Sequence, residues 1–152
     1  IMPGDWSSDV CSSDLSLDAL QLIQSNCQKF HGGWQGFHIV EGGAPEAMEG
    51  LPLPTHAFIG GSGGKMQAIV EALVAANPGV RIVANAITLE TLGEILDCMR
   101  NFGFQDTELT QIWAAKVETV GAYHMPKAQN PVYIAVMQNP SLDSEEIQWQ
   151  EL

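Results

Sequence analysis

The feature that most constrains this fold is an unbroken run of a short apolar segment, a glycine-rich turn and an amphipathic helix. The apolar segment covers residues 56–59, the turn reads GGSGG at 60–64, and the helix continues from 65 to 76 with its apolar side chains on one side. A strand that passes through a tight turn into a helix is the first half of a βαβ unit. The run therefore predicts a parallel α/β sheet.

The rest of the chain repeats this alternation of strand and helix. Apolar residues at spacings of three and four predict further helices, and short apolar runs predict further strands. The expected helices cover residues 16–30, 65–76 and 88–102, with a helical turn at 44–48, and the expected strands cover 37–40, 56–59, 80–87, 104–118 and 131–137. The strand 56–59 is expected to be buried on both faces. Because residues 119–130 read as a loop, the last two strands should form an antiparallel hairpin at one edge of a three-layer fold.

The first fifteen residues differ from the rest. They read IMPGDWSSDVCSSDL, in which serine and aspartate alternate with no helical or strand period. Residues 5–15 also match one translated frame of a common DNA-sequencing adapter at every position, which indicates a segment foreign to the natural protein. We expect a foreign, disordered segment at 1–15, a partial folded domain at 16–138 and an acidic tail at 139–152.

The charge balance excludes several classes of partner. The chain has 18 acidic and 6 basic residues, a net charge of −12, which repels nucleic acid and anionic membranes.

No apolar run is long enough to cross a bilayer. The 3 cysteines have neither a disulfide framework nor zinc spacing, which favours a cytoplasmic protein. No metal site is expected from the scattered histidines His31, His38, His56 and His124.

The glycine turn is the strongest chemical feature, and the residues alone leave its role open. Glycines let the backbone approach a ligand closely, and the N–H groups at the start of the next helix can bind an anion. A Walker loop does not fit, because Ile59 stands at its first glycine and Met66 follows Lys65. A dinucleotide fingerprint does not fit either. Tight strand–helix packing explains the turn equally well, and a serine hydrolase with Ser62 as nucleophile satisfies the pattern formally.

Several blocks of sequence carry a family resemblance. PTHAFIGGSGG, RIVANAITLETL and YHMPKAQNPVYIAVM, in this order and preceded by VEGGAPEAMEGLP, resemble the decarboxylating precorrin-6Y C5,15-methyltransferases of cobalamin synthesis. The resemblance covers residues 16–138 and is to the T-type subunit or C-terminal domain. It implies a Rossmann-like, class I S-adenosylmethionine-dependent methyltransferase fold. The implied reaction methylates a meso carbon of a precorrin tetrapyrrole and removes carbon dioxide from an acetate side chain.

The resemblance also implies site residues. Gly43, Ala44 and Pro45 lie where the family has its adenine-side loop, although the family usually has an acidic residue in place of Gly43. The end of the strand facing the methyl donor S-adenosylmethionine corresponds to Gly60, Gly61 and Ser62. The tetrapyrrole side corresponds to Asn85, Thr88 and Glu90, and the closing hairpin contributes Lys127 and Asn130. No catalytic residue is identified.

The substrate's carboxylates require local positive charge on an acidic protein. The candidates are Lys65, Lys116 and Lys127, although an ordinary solvated lysine is the commoner explanation for each. The family further suggests a homo-oligomer, and a companion methyltransferase as subunit or fused domain.

The largest departure from the family is at the N-terminus. The first two central strands, which carry the donor-binding glycine loop and the acid for the ribose, should precede residue 16. Without them, residues 37–40 should lack their neighbour, and we expect this chain neither to bind S-adenosylmethionine nor to fold stably. The sequence therefore predicts an inactive fragment of a methyltransferase. The alternative is a non-catalytic, methyltransferase-like scaffold or partner subunit.

Overall fold

The structure is a computed structural model that describes residues 10–14, 17–31 and 37–139. The chain divides into two units, Ile1–Pro52 and Leu53–Leu152, and each is described by itself. Among the described residues, no helix has the length and apolar character needed to span a bilayer.

The first unit is a small parallel pair of strands with one helix. Strand β1 (Val10–Asp14) pairs in parallel with β2 (Phe37–Glu41), and helix α1 (Leu17–His31) connects them and packs on both. A single 3-10 turn at Glu46–Met48 follows β2, where the sequence predicts a helical turn. Parallel strands require a crossover of this kind, so the unit is a complete βαβ motif.

Strand β1 corrects two expectations. We expected residues 1–15 to be disordered and residues 37–40 to lack a neighbour, yet Val10–Asp14 forms a ladder with Phe37–Glu41. The reason is that ladder hydrogen bonds join backbone groups, so a polar strand without an apolar period can still pair. The foreign origin of the segment stays a prediction, and residues 1–9, 15 and 16 lie outside the described residues.

The second unit contains a four-stranded mixed sheet with two helices. Its elements are β3 (His56–Ile59), α2 (Met66–Ala76), β4 (Arg81–Ala86), α3 (Leu89–Asn101), β5 (Asp106–Ile112) and β8 (Val132–Gln138). The strand order is β3-β4-β8-β5. Strands β3 and β4 are parallel, whereas β8 is antiparallel to both β4 and β5. The predicted antiparallel pair at the C-terminal edge is thereby confirmed. A separate two-stranded sheet is formed by β6 (Ala115–Val120) and β7 (Tyr123–Ala128).

The core lies on one face of this sheet. Alternate residues of β4 are buried, and the register pairs Ile82 with Met137 and Ala84 with Ala135, so these four buried side chains share a face. Helix α3 packs on β4 and β8, and α2 packs against α3. Because α2 and α3 are amphipathic, they bury their apolar sides on this face.

Three expectations for the second unit are wrong. Strand β3 is not buried on both faces, because the Phe58 side chain is 69% exposed. The predicted long strand 104–118 is divided in two, because β5 ends before Trp113 and β6 begins after Ala114. The predicted loop 119–130 contains β7. The strands β6 and β7 are exposed along both faces and so lack the alternation that reveals a strand in sequence. The acidic tail at 140–152 lies outside the described residues.

Candidate functional site

The candidate site is the edge of the sheet where β3 and β4 end. Because the two strands are parallel, their carboxyl ends lie at the same edge. Residues 60–65 connect β3 to α2 there, and Ile87 and Thr88 connect β4 to α3. In open α/β sheets this is the edge at which ligands bind.

The backbone of the glycine turn is open to a ligand. Gly63 and Gly64 have φ angles of 56° and 81°, which other residues adopt only with strain. A Cβ atom added at Gly61, Gly63 or Gly64 would meet no atom within 4 Å, whereas one at Gly60 would lie 3.3 Å from the Phe58 ring. The turn closes with a hydrogen bond of 3.0 Å from the Lys65 N–H to the Ser62 carbonyl. The glycines therefore provide conformation and open space, and tight packing against the helix does not explain three of them.

Asn85 joins the ends of the two strands. In the orientation that its neighbours require, its amide nitrogen donates to the carbonyl of Ile59 at 3.2 Å and to that of Gly60 at 2.9 Å. The resemblance implies a substrate-facing role for Asn85, which stays a prediction, and in the structure its amide nitrogen holds the end of β3.

A second side-chain contact joins the turn to helix α3. The Ser62 hydroxyl donates to a carboxylate oxygen of Glu94 on α3 at 3.3 Å, in a half-buried position. Sequence reasoning did not single out Glu94. A signal existed, because Glu94 lies four residues after Glu90 and so on the same side of α3.

Thr88 caps helix α3, as its position predicts. Its hydroxyl oxygen accepts a hydrogen bond of 3.2 Å from the Thr91 N–H. The same hydroxyl donates to the hydroxyl oxygen of Thr91, 3.0 Å away. Glu90 lies in the first turn of the helix, where a negative charge is favourable, and is exposed. Both residues therefore lie at the same edge as the glycine turn and Asn85, although both have a local structural role.

The residues predicted in the closing hairpin lie in or next to the two-stranded β6–β7 sheet rather than on the four-stranded sheet. Lys127 is in β7, where its ammonium lies 3.4 Å from the Glu118 carboxylate of β6, and both side chains are largely exposed. Lys116 is its register partner across the hairpin. Asn130 lies between β7 and β8 and is exposed. The structure places these residues together but gives Lys127 a carboxylate partner within the hairpin.

The predicted adenine-side residues follow β2 in the first unit. The Gly43 carbonyl accepts a hydrogen bond from the Ala47 N–H at 3.0 Å, and the Pro45 carbonyl accepts one from the Met48 N–H at 2.9 Å. These bonds hold Gly43, Ala44 and Pro45 in a compact turn. The glycine turn belongs to the second unit, so a joint role of the two segments stays a prediction.

The surroundings of Ser62 and Cys98 do not favour either residue as a nucleophile. The hydroxyl of Ser62 donates to a carboxylate rather than to a histidine, which does not fit the serine hydrolase. Burial, with smaller contributions from the Glu94 and Asp97 carboxylates, raises the pKa of the Cys98 thiol from 9.0 to about 11. Cys98 is therefore a protonated core residue at neutral pH. Within the described ranges, no group of three metal-binding side chains comes together.

Known proteins are similar to this chain in both sequence and fold. A family model described as the precorrin methyltransferase domain matches residues 7–139. A probable cobalt-precorrin-6B C(15)-methyltransferase (decarboxylating) from Pyrobaculum calidifontis is 37% identical over 127 residues, which are 84% of this chain and 64% of that protein. A precorrin-6Y C(5,15)-methyltransferase (decarboxylating) from a Sinorhizobium species is 39% identical over 103 residues, which are 66% of this chain and 24% of that protein. The crystal structure of a precorrin-6Y C5,15-methyltransferase from Geobacter metallireducens has a TM-score of 0.74 at 31% identity, covering 86% of this chain and 68% of that one.

The fold is thus that of the class I S-adenosylmethionine-dependent methyltransferases. Within this class, the chain belongs to the precorrin methyltransferase domain family, and the resemblance found in its sequence is confirmed. The chain spans 64% of the length of its Pyrobaculum relative.

Proposed function

We propose that this chain is part of an enzyme that methylates a precorrin and decarboxylates its acetate side chain, with S-adenosylmethionine as the methyl donor. The proposal rests on the decarboxylating methyltransferases to which the chain is similar. The observation that carries it is the open glycine turn at the common edge of β3 and β4.

The residues of this edge fit the methyl donor. The donor supplies an activated methyl group, and its transfer depends on alignment with the acceptor carbon more than on a strong acid or base. Open backbone at Gly61, with the strand ends held by Asn85, is suited to aligning a bound molecule. We assign donor contacts to Gly60, Gly61 and Ser62, and further donor contacts to Gly43, Ala44 and Pro45 of the first unit.

The acceptor contacts are assigned to the same edge and to the hairpin. Thr88 and Glu90 lie at the start of helix α3, at the same edge as the glycine turn. Asn85, near the end of β4, bonds the first residue of that turn. Lys127 and Asn130 would approach the substrate from the hairpin. A carboxylate of the tetrapyrrole would have to displace Glu118 from Lys127, and this exposed ion pair is weak enough to exchange.

The assembly is also proposed from the family. The match to 24% of the Sinorhizobium protein supports a fused companion domain in a longer protein of this kind, and a separate companion subunit is the alternative. Large apolar side chains are exposed on the hairpin, which supports a homo-oligomer in the intact protein because such surfaces are commonly contact surfaces. We place the protein in the cytoplasm.

Sequencing the source DNA across the junction of Leu15 and Ser16 tests the proposal. A longer protein encoded there should convert a precorrin-6 substrate to a product that has gained a methyl group and lost carbon dioxide, observed by mass spectrometry. The 152-residue chain is the control, and we expect it to be inactive. If residues 5–15 prove genomic and no protein from this locus transfers a methyl group, the enzyme proposal fails and the scaffold alternative replaces it.

A further inference from the structure

The glycine turn needs an external restraint. Residues 60–64 contain four glycines, and glycine loses more conformational freedom on folding than any other residue. Within the turn the backbone offers a closing bond from the Lys65 N–H to the Ser62 carbonyl. Two side chains from other elements supply further bonds, Asn85 to the end of β3 and Glu94 to Ser62.

The contact from Glu94 differs from that of Asn85 in where it acts. Asn85 bonds the carbonyls of Ile59 and Gly60, which belong to the strand and its first following residue. Glu94 bonds the centre of the turn, beside Gly61 and Gly63, where added Cβ atoms would meet no neighbour. It therefore acts on the open part of the backbone.

The Glu94 side chain can act in this way because α3 holds it in place. The residue after it, Ile95, is fully buried, and the helix is packed on β4 and β8. An ionised carboxylate accepts hydrogen bonds only, so it orients the Ser62 hydroxyl with its hydrogen towards α3. The 3.3 Å separation is long for a hydroxyl–carboxylate bond, so the turn has room to tighten.

We propose that Glu94 is a positioning residue for the ligand-binding edge, which holds the glycine turn in its open conformation through the Ser62 hydroxyl. The bound molecule is the methyl donor, so this part of the inference rests on the proposed function. Glu94 does not touch the donor, and its effect is on how well the turn is ordered before binding.

Hydrogen exchange of the turn tests the restraint independently of any activity. The longer protein encoded by the source DNA is compared as wild type, Ser62→Ala, Glu94→Ala, Glu94→Gln and the Ser62→Ala/Glu94→Ala double variant. Losing one hydrogen bond should raise the exchange of peptides covering 60–65 about 2- to 10-fold. The double variant should exchange no faster than either single alanine variant, and Glu94→Gln should restore most of the protection because its amide oxygen still accepts from Ser62.

Asp97→Ala is the matched control. Asp97 lies on the same helix, is 66% exposed and pairs with Arg100, so its removal should leave the turn unchanged. The inference is overturned if Glu94→Ala leaves the exchange of 60–65 unchanged, if the two alanine substitutions add, or if glutamine behaves as alanine does.

Calorimetry of the longer protein with S-adenosylmethionine separates this inference from the proposed function. Glu94→Ala should raise the dissociation constant about 2- to 10-fold and Glu94→Gln should change it by less than about 2-fold. If the longer protein does not bind the donor at all, the proposed function fails, while the exchange result still decides the role of Glu94. If it binds and Glu94→Ala has wild-type affinity, the positioning role is wrong.

Discussion

Two β regions of the second unit, strand β4 and the β6–β7 hairpin, have similar strand lengths and very different surroundings. In β4 every second residue is buried, under helices that pack on the sheet. In the hairpin almost every residue is exposed, including Val117 at 62% and Tyr123 at 74%. The comparison teaches that backbone pairing alone forms a strand, whereas burial requires a partner layer. The first region can support a precise site, and the second offers a contact surface.

The largest expected effect is on core packing in β4. Ile82→Ala removes a fully buried side chain, so the free energy of unfolding should fall by about 2–5 kcal/mol. Val117→Ala in the hairpin should change it by less than about 0.5 kcal/mol. Urea unfolding midpoints of the two variants measure the difference. Equal losses would remove the distinction between the two regions.

The elements that were predicted correctly from the sequence are those with one face buried and the other exposed. Helices α2 and α3 have apolar residues at a helical spacing on their buried sides, and every second residue of β4 is buried, because one face of each element is buried. The predicted bounds of β3, residues 56–59, agree with the structure. The turn of the hairpin and its second strand β7 escaped prediction because both faces are exposed, although the register pairs residues only 3 to 13 positions apart.

The candidate site shows the same limit. The glycine turn and the N-cap Thr88 were predictable, because φ angles and helix ends have local sequence signals. The pairing of Ser62 with Glu94 joins residues 32 positions apart, and the pairing of Asn85 with Gly60 joins two neighbouring strands. Such tertiary contacts depend on the packing of α3 and the sheet, which no single segment encodes.

The next effect comes from Cys98, on the helix that covers β4. Its thiol has a pKa of about 11 in the folded protein, against 9.0 when unperturbed. Between these pH values the unfolded chain binds fewer protons, so the free energy of unfolding should fall as pH rises from 9 to 11, by up to about 3 kcal/mol. Below pH 9 the thiol should have no effect. Unfolding of wild type and Cys98→Ala across this range measures it, and parallel curves would contradict the account.

A smaller effect separates stability from binding in the glycine turn. Gly64 has a φ of 81°, so Gly64→Ala should destabilise the protein by about 1–2 kcal/mol. Gly61 has no such constraint, and Gly61→Ala should not destabilise it. Gly61→Ala should nevertheless weaken donor binding to the longer protein, because its methyl group enters the open space. Thermal unfolding and calorimetry together measure both, and unchanged donor affinity would exclude Gly61 from the site.

The smallest expected effect is on the hairpin. Lys127→Ala should leave the free energy of unfolding within about 0.5 kcal/mol, because its ion pair with Glu118 is exposed. It should weaken binding of the carboxylate-rich substrate a few-fold. Glu118→Gln, which releases Lys127 from its partner, should strengthen the same binding. Titration at low salt measures both variants, and an unchanged affinity in Lys127→Ala would remove the hairpin from the substrate site.

The central claim is that the edge formed by β3 and β4 belongs to an S-adenosylmethionine site. Calorimetric titration of S-adenosylmethionine, into the 152-residue chain and into the longer protein encoded by the source DNA, tests it most directly. We predict binding to the longer protein, a weaker affinity in its Gly61→Ala variant and no measurable binding to the chain itself. Absence of binding to the longer protein, or equal affinity in its Gly61→Ala variant, would contradict the account.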